Sequence, residues 1–193
     1  MRLKVKLNAN LNFKISYLVC LLSFLSISAQ GDFAGLKHWE IPSKNPDRII
    51  LTFYGDPTSS RAVTWRTNTE IENGVAQISE ATVNANMEYK PKTYKASVEK
   101  LKLGQYMMNN SFSVNYHSVI FKELKQNTLY AYRVGDGDKY WSEWIHFKTA
   151  KKEYSKTEFV FFGDSQNRLL SHWSRVIRMA YQTAPNASFA IHG

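Results

Sequence analysis

The chain has 193 residues, 44% hydrophobic and 21% charged, with 25 basic residues against 16 acidic ones and a single cysteine, Cys20. That balance excludes a disordered chain and a disulfide-stapled miniprotein, and the length allows one domain or two small ones around a real core. Four of the basic residues and none of the acidic ones lie in the first thirty, so the remainder sets 21 basic against 16 acidic residues, a net +5 too small and too scattered for a nucleic-acid footprint.

Arg2, Lys4, Lys6 and Lys14 open the chain, Ile15 to Ile27 is apolar apart from serines and Tyr17, and Ser28-Ala29-Gln30 offers small residues for cleavage. Residues 1–30 read as a signal peptide that sends the rest to a secreted or periplasmic location. The apolar run is shorter than the ~20 residues of a spanning helix, so no stable membrane anchor is expected. Apolar sequence continues past Cys20 and Val19 is not a small residue, which argues against lipidation there. Without the leader no cysteine remains, and stability must come from packing.

Residues 31–47, with Pro42 and Pro46, form a polar lead-in expected to run extended along the surface. Strand patterning starts at Arg48: Ile49, Leu51 and Phe53 alternate with Ile50, Thr52 and Tyr54, and Gly55-Asp56-Pro57 turns the chain. Arg61 to Arg66 is a second strand with Val63 and Trp65 on one face, and Gly74 to Ser79 a third. From Glu80 to Ser113 the pattern weakens into lysine-rich edge strands and loops, with strands expected near Met87–Tyr89 and over Thr93–Val98. Met107 and Met108 are adjacent and cannot share a face, so they read as loop or edge packing.

Val114 to Phe121 is again a strand, and in Asn127 to Asp136 the residues Tyr130, Tyr132 and Val134 share a face. Asp136-Gly137-Asp138 is a hairpin turn, and Tyr140 to Thr149 the closing strand. About seven short strands punctuated by turns make residues 48–149 a small β-sandwich. Leu124, Thr128 and Tyr130 are spaced like the tyrosine corner of fibronectin type III and immunoglobulin-like sandwiches, in which a buried tyrosine hydroxyl bonds the backbone just upstream. Residues 150–157, short and charged, are a linker.

Residues 158–193 change character. Phe159 to Phe162 is a continuous apolar run, the pattern of a strand buried on both faces of a parallel sheet, and Gly163-Asp164 stops it. Leu169, Leu170, Trp173, Val176, Ile177, Ala180 and Tyr181 recur at helical spacing until Pro185, and Ala187 to Ile191 is a second apolar run ending at His192-Gly193. Strand, helix and strand place Asp164 at a carboxyl strand end, where open α/β sheets hold their chemistry. A glycine turn lets the carboxylate project without a bulky neighbour. The plain alternative is that Asp164 caps the helix, a role Asn167 also fits.

Gly163, Asp164 and Gln166, followed by a helix and a strand ending in His-Gly, resemble the first motif of the calcineurin-like metallophosphoesterases, and more narrowly of the purple acid phosphatases. Ile49 to Phe53, Asp56-Pro57, Val63-Thr64-Trp65, Thr128 to Gly135 and Phe147-Lys148-Thr149 resemble the N-terminal sandwich of the same family. The resemblance implies an all-β fibronectin type III-like sandwich over residues 48–149, followed by the first βαβ unit of an α/β metallophosphoesterase domain over residues 158–193. It implies a secreted acid phosphatase that hydrolyses small phosphate esters, namely monoesters, with a binuclear metal centre of Fe with Fe, Zn or Mn. Asp164 would be one metal ligand. The family's other ligands fall beyond Gly193, so the chain as given is expected to be inactive alone, and no oligomeric state is implied.

Two alternatives remain at this point. One is another metallophosphoesterase, such as a phosphodiesterase or nucleotidase; an alkaline phosphatase of the D type is disfavoured because Gly163-Asp164-Ser165-Gln166 has no cysteine. The other is a secreted β-sandwich binding module in which Asp164 only caps. His192 reads as strand packing near the site, His172 as solvent-facing, and His38, His117 and His146 lack carboxylate spacing for zinc. Trp65, Trp141 and Trp144 read as sandwich core rather than a ligand groove. Asn109-Asn110-Ser111 and Asn186-Ala187-Ser188 match the glycosylation pattern.

Overall fold

The computed structural model describes residues 39–81, 91–103, 112–153, 156–166 and 168–193. The leader, His38, the Met87–Tyr89 strand, Met107, Met108, Asn109–Ser111 and Asn167 lie outside these described residues.

Strands β1 (Asp47–Thr52), β2 (Arg61–Thr67), β5 (Ser97–Leu103) and β6 (Phe112–Phe121) form one antiparallel sheet in the order β1-β2-β6-β5. Strands β3 (Val75–Glu80), β4 (Lys92–Lys95), β7 (Leu129–Gly135) and β8 (Ile145–Lys148) form a second, in the order β4-β3-β7-β8. Alternation explains the packing. Val63, Trp65, Val119 and Phe121 from the first sheet meet Ala76, Ile78, Tyr130, Tyr132 and Val134 from the second in one buried cluster, with Ile49 and Leu51 of β1 against it. This is a β-sandwich of fibronectin-like form, and the predicted tyrosine corner closes as expected: the Lys125 N–H donates to the Tyr130 hydroxyl at 2.8 Å.

Two expected strands are corrected. Thr93–Val98 is not one strand: the chain leaves the second sheet after Lys95 and enters the first at Ser97. The pivot is Ala96, a buried small residue whose N–H donates to the Gly74 carbonyl at 2.9 Å. The closing strand is shorter than Tyr140–Thr149. Trp141 makes one bridge to Gly135, but Ser142 then takes both backbone groups of Val134, its hydroxyl accepting from the N–H at 3.0 Å and its own N–H donating to the carbonyl at 2.8 Å. A side-chain oxygen stands where a strand would present a carbonyl, and the regular ladder resumes only at Ile145. The turn before it is built as predicted, with Asp136 Oδ1 accepting from the N–H groups of Asp138 and Tyr140 and Gly137 at φ +92°.

The lead-in is held to the sandwich from its first described residues. The Asn68 N–H donates to the Ser43 carbonyl at 2.8 Å, and the fully buried Arg66 reaches the Glu40 carbonyl and clamps both carboxylate oxygens of Asp47. Past Thr149 the chain stays tied down, Ala150 N–H to Pro57 carbonyl and Lys152 N–H to the Gln126 side chain.

Beyond it, β9 (Phe159–Phe162) and β10 (Phe189–His192) pair in parallel, Phe159 opposite Phe189 and Phe162 opposite His192. The connection enters through one wide π turn, Leu169–Trp173, and runs as helix α1 (Ser174–Thr183) to Pro185. The expected double burial of β9 is not found: Phe159 is 52% exposed and Phe161 65%. The apolar helix stripe is likewise open at Leu169, Leu170, Val176, Ile177 and Tyr181. Among the described residues the sheet has two strands, against which Trp173 packs, and they offer too little surface to bury the rest of the stripe. Phe53 of the sandwich meets Phe189 edge-on at 5.2 Å, and Phe189 stacks on Phe159 at 5.3 Å. Among the described residues no helix is long and apolar enough to cross a membrane.

Candidate functional site

Asp164 follows the end of β9 on an exposed loop. Parallel pairing brings the ends of β9 and β10 side by side, the Gly193 N–H donating to the Phe162 carbonyl at 2.9 Å, so the loop after β9 stands over the last residues of β10. Gly163 is not forced on the chain by its backbone. Its φ lies outside the left-handed region, and an added Cβ would meet nothing within 4 Å. The room beside the carboxylate is real, and neither turn geometry nor local crowding requires a glycine there.

The side chains around Asp164 are bonded to one another. The Gln166 amide donates to Asp164 Oδ2. Ser165 Oγ and His192 Nε2 are 3.0 Å apart. Trp173 stands edge-on to Phe162 at 5.1 Å and to His192 at 5.6 Å, joining the start of the helical connection to both strand ends. Asp164, Ser165, Gln166, His172, Trp173 and Val176 line an open depression of about 400 Å³, within the range of small-molecule sites. The combination of one carboxylate, a hydroxyl, an amide and an indole wall is able to receive a small polar ligand.

The sequence reading placed Asp164 at this carboxyl strand end, and the structure does so too. Among the described residues no capping bond runs from an Asp164 oxygen to the helix, and its bond there is to Gln166. His192 sits at the end of the strand as read, but it also bonds the residue next to Asp164, which the linear sequence could not reveal. His172 is exposed as expected, with Nδ1 2.8 Å from Ser171 Oγ, yet it lines the depression. Asn186 is exposed in the turn before β10.

As a metal position, a carboxylate is a hard oxygen donor suited to Fe, Zn or Mn, and Asp164 keeps Oδ1 free of partners among the described residues. That fits one coordination position. Among the described residues no group of three or more His, Cys, Asp or Glu could hold an ion, so Asp164 alone does not make a centre.

The remaining candidates are structural. Trp65 is fully buried and stacks on His117 at 5.2 Å. His117 is also fully buried, with Nε2 2.8 Å from Thr67 Oγ1, and burial pushes its pKa down from 6.5 to about 4. Burial likewise pushes Tyr132 up to about 12. Trp141 and Trp144 are not core: they flank the Arg133 guanidinium at 4.1 and 4.8 Å near the surface, with Gln77 Oε1 accepting from Arg133 Nε at 2.8 Å. His146 is exposed on β8.

Comparison with known proteins bears on the sandwich. Residues 46–149 match the family model of the purple acid phosphatase N-terminal domain. Among solved structures, the chain is similar to a purple acid phosphatase from yellow lupin seeds, at 16% identity and a TM-score of 0.46, covering 79% of this chain and 35% of the lupin protein. It is also similar to domains FN1–FN3 of chicken CNTN1, at 17% identity and a TM-score of 0.38, covering 57% of this chain and 31% of that one. A computationally redesigned β-sandwich protein matches at 19% identity with a TM-score of 0.35, over 58% of this chain and 96% of its own. The chain thus spans about a third of the lupin protein's length. No curated protein matches the sequence.

Proposed function

Because this chain belongs to the purple acid phosphatase N-terminal domain family, we propose that it is part of a secreted acid phosphatase that hydrolyses phosphate monoesters. The observation that carries the reading is continuity: a sandwich matched by that family leads, after a short connection, into a parallel strand-helix-strand unit with Asp164 at its carboxyl end. In this reading residues 158–193 begin a metallophosphoesterase domain and Asp164 gives one carboxylate to a binuclear centre of iron with iron, zinc or manganese. Such a centre, when bound, neutralises phosphate charge and makes water nucleophilic near neutral pH.

This chain's own residues then have defined tasks. Asp164 offers Oδ1 while Gln166 holds Oδ2, which limits rotation of the carboxylate. Ser165 and Trp173 line the depression beside it, where a small ester has both a hydrogen-bonding group and an apolar wall. The sandwich contributes rigidity: Phe53 touches Phe189 at the far end of β10 from the site.

The test is hydrolysis of a chromogenic phosphate monoester by the exported, full-length native protein and its Asp164→Asn variant, with bound metal measured in both. The reading expects loss of metal and of turnover in the variant. Unchanged metal content returns Asp164 to a structural role, and turnover by residues 31–193 alone would show that the chemistry uses some other group. Recovery of the protein inside the cell with residues 1–30 intact would refute the export step.

A further inference from the structure

We propose that Ser165 and His192 form a latch that positions Asp164, with His192 acting through Ser165 rather than as a metal ligand. The proposal rests on the reading of Asp164 given above and deepens it. The geometry has three parts. His192 is the last residue of β10 and lies opposite Phe162, the last residue of β9, so its backbone is placed beside that strand end by the sheet. Trp173 braces that ring edge-on at 5.6 Å and touches Phe162 at 5.1 Å, so the imidazole has one side committed to an indole. Nε2 then reaches Ser165 Oγ at 3.0 Å, across the gap between the two strand ends.

Consequently the loop carrying Asp164 is anchored on both sides of the carboxylate. Before it, the Phe162 carbonyl accepts from Gly193; after it, Ser165 is tied to His192. Among the described residues Ser165–His192 is the bond that ties residues 163–166 across to β10, because Gln166 bonds Asp164 within the same loop. A nitrogen already engaged by Ser165 is also a poor ligand, since an ion at Nε2 would have to displace the hydroxyl. Partners that orient a metal-binding carboxylate cost about 10- to 100-fold in affinity when removed, and that is the effect expected here.

The experiment is Mn²⁺ binding to the full-length native protein, followed by electron paramagnetic resonance of the free ion, for the parent and for Asp164→Asn, Ser165→Ala, Ser165→Thr and His192→Phe. The latch predicts a 10- to 100-fold loss for Ser165→Ala and recovery with Ser165→Thr, which keeps the hydroxyl. His192→Phe keeps a ring against Trp173 and deletes the bond, so it should match Ser165→Ala and serves in its place if that variant fails to fold. If Asp164→Asn weakens Mn²⁺ binding while Ser165→Ala and His192→Phe do not, the latch is overturned and the ligand reading stands. If His192→Phe abolishes binding as completely as Asp164→Asn while Ser165→Ala is harmless, His192 is a ligand and the latch is again overturned. If Asp164→Asn leaves binding unchanged, the ligand reading falls and the latch falls with it.

Discussion

Acid should weaken the sandwich through one residue, His117. Its Nε2 faces the Thr67 hydroxyl, and the same hydroxyl lies 2.9 Å from the Asn68 carbonyl, so a consistent chain runs from an Nε2–H donor to Thr67 and from Thr67 to Asn68. Among the described residues Nδ1 has no partner, and the space beside it is taken by Gly74, whose added Cβ would sit 2.5 Å away. A second proton would therefore go to a buried nitrogen with no acceptor, which is why the folded pKa falls to about 4 from 6.5. Between those values the unfolded chain binds the proton and the folded chain does not, so stability is complete above pH 6.5, declines as pH falls toward 4, and changes no further below. The full loss is roughly 3 kcal/mol, and at pH 5 it is about 2 kcal/mol, or about 8–16 °C in Tm for a sandwich of this size. Urea unfolding followed by far-ultraviolet circular dichroism at pH 7.5 and pH 5.0 measures it. Carboxylates titrate over the same range, so the control is His117→Leu, which is similar in volume and leaves Thr67 bonded to Asn68. The parent should lose about 2 kcal/mol more than the variant between the two pH values. Equal losses within about 0.5 kcal/mol would refute the assignment to His117.

Other perturbations test separate links. Tyr130→Phe removes the acceptor for the Lys125 N–H but keeps the ring stacked on Phe147, so urea unfolding should show a loss of about 1–2 kcal/mol with an unchanged slope. Asp47→Ala strands the buried Arg66 guanidinium with the Glu40 carbonyl as its remaining bond among the described residues and should cost about 3–5 kcal/mol, while adding Arg66→Met to it should recover part of that loss in the same assay. The two glycines beside candidate residues should behave oppositely on thermal melting: Gly74→Ala drives a methyl to 2.5 Å from His117 and 2.9 Å from Trp65 and should cost about 1–3 kcal/mol, whereas Gly163→Ala enters open space and should change stability by less than about 0.5 kcal/mol.

Much of the sandwich was legible because its chemistry is local. Val63 and Trp65, or Tyr130, Tyr132 and Val134, alternate with more polar neighbours, and period-two patterning names the inward face without knowledge of the partner strand. The tyrosine corner and the Asp136 turn are similarly short in sequence: donor and acceptor lie five and four residues apart or fewer. What escaped depends on a partner far along the chain. Ala96 reads as an ordinary strand residue until Gly74 claims its N–H, and Ser142 reads as part of a strand until it claims Val134. Arg66 and Asp47, nineteen residues apart, look like two charges on neighbouring strands, and nothing local in the sequence says that the Arg66 guanidinium is buried and also bonds the Glu40 carbonyl of the lead-in.

The α/β unit shows the converse. An apolar run such as Phe159 to Phe162 records the surroundings a strand needs, and its four residues ask for cover on both faces. In this chain Phe162 meets Trp173 and Phe159 stacks on Phe189 of the neighbouring strand, and the same letters that named a buried strand leave two phenylalanines more than half exposed. Asp164 could be placed from sequence because its location follows from where a strand stops. Its neighbours could not, because Ser165 and His192 are twenty-seven residues apart and meet only through the parallel register that sets His192 beside Phe162. A carboxylate's position is thus written locally while the bonds that orient it are written in the pairing of the strands. It follows that a variant which shifts the β9–β10 register by one residue would leave Asp164 in its loop but turn His192 to the opposite face, and the 3.0 Å bond would be lost with no change at either residue.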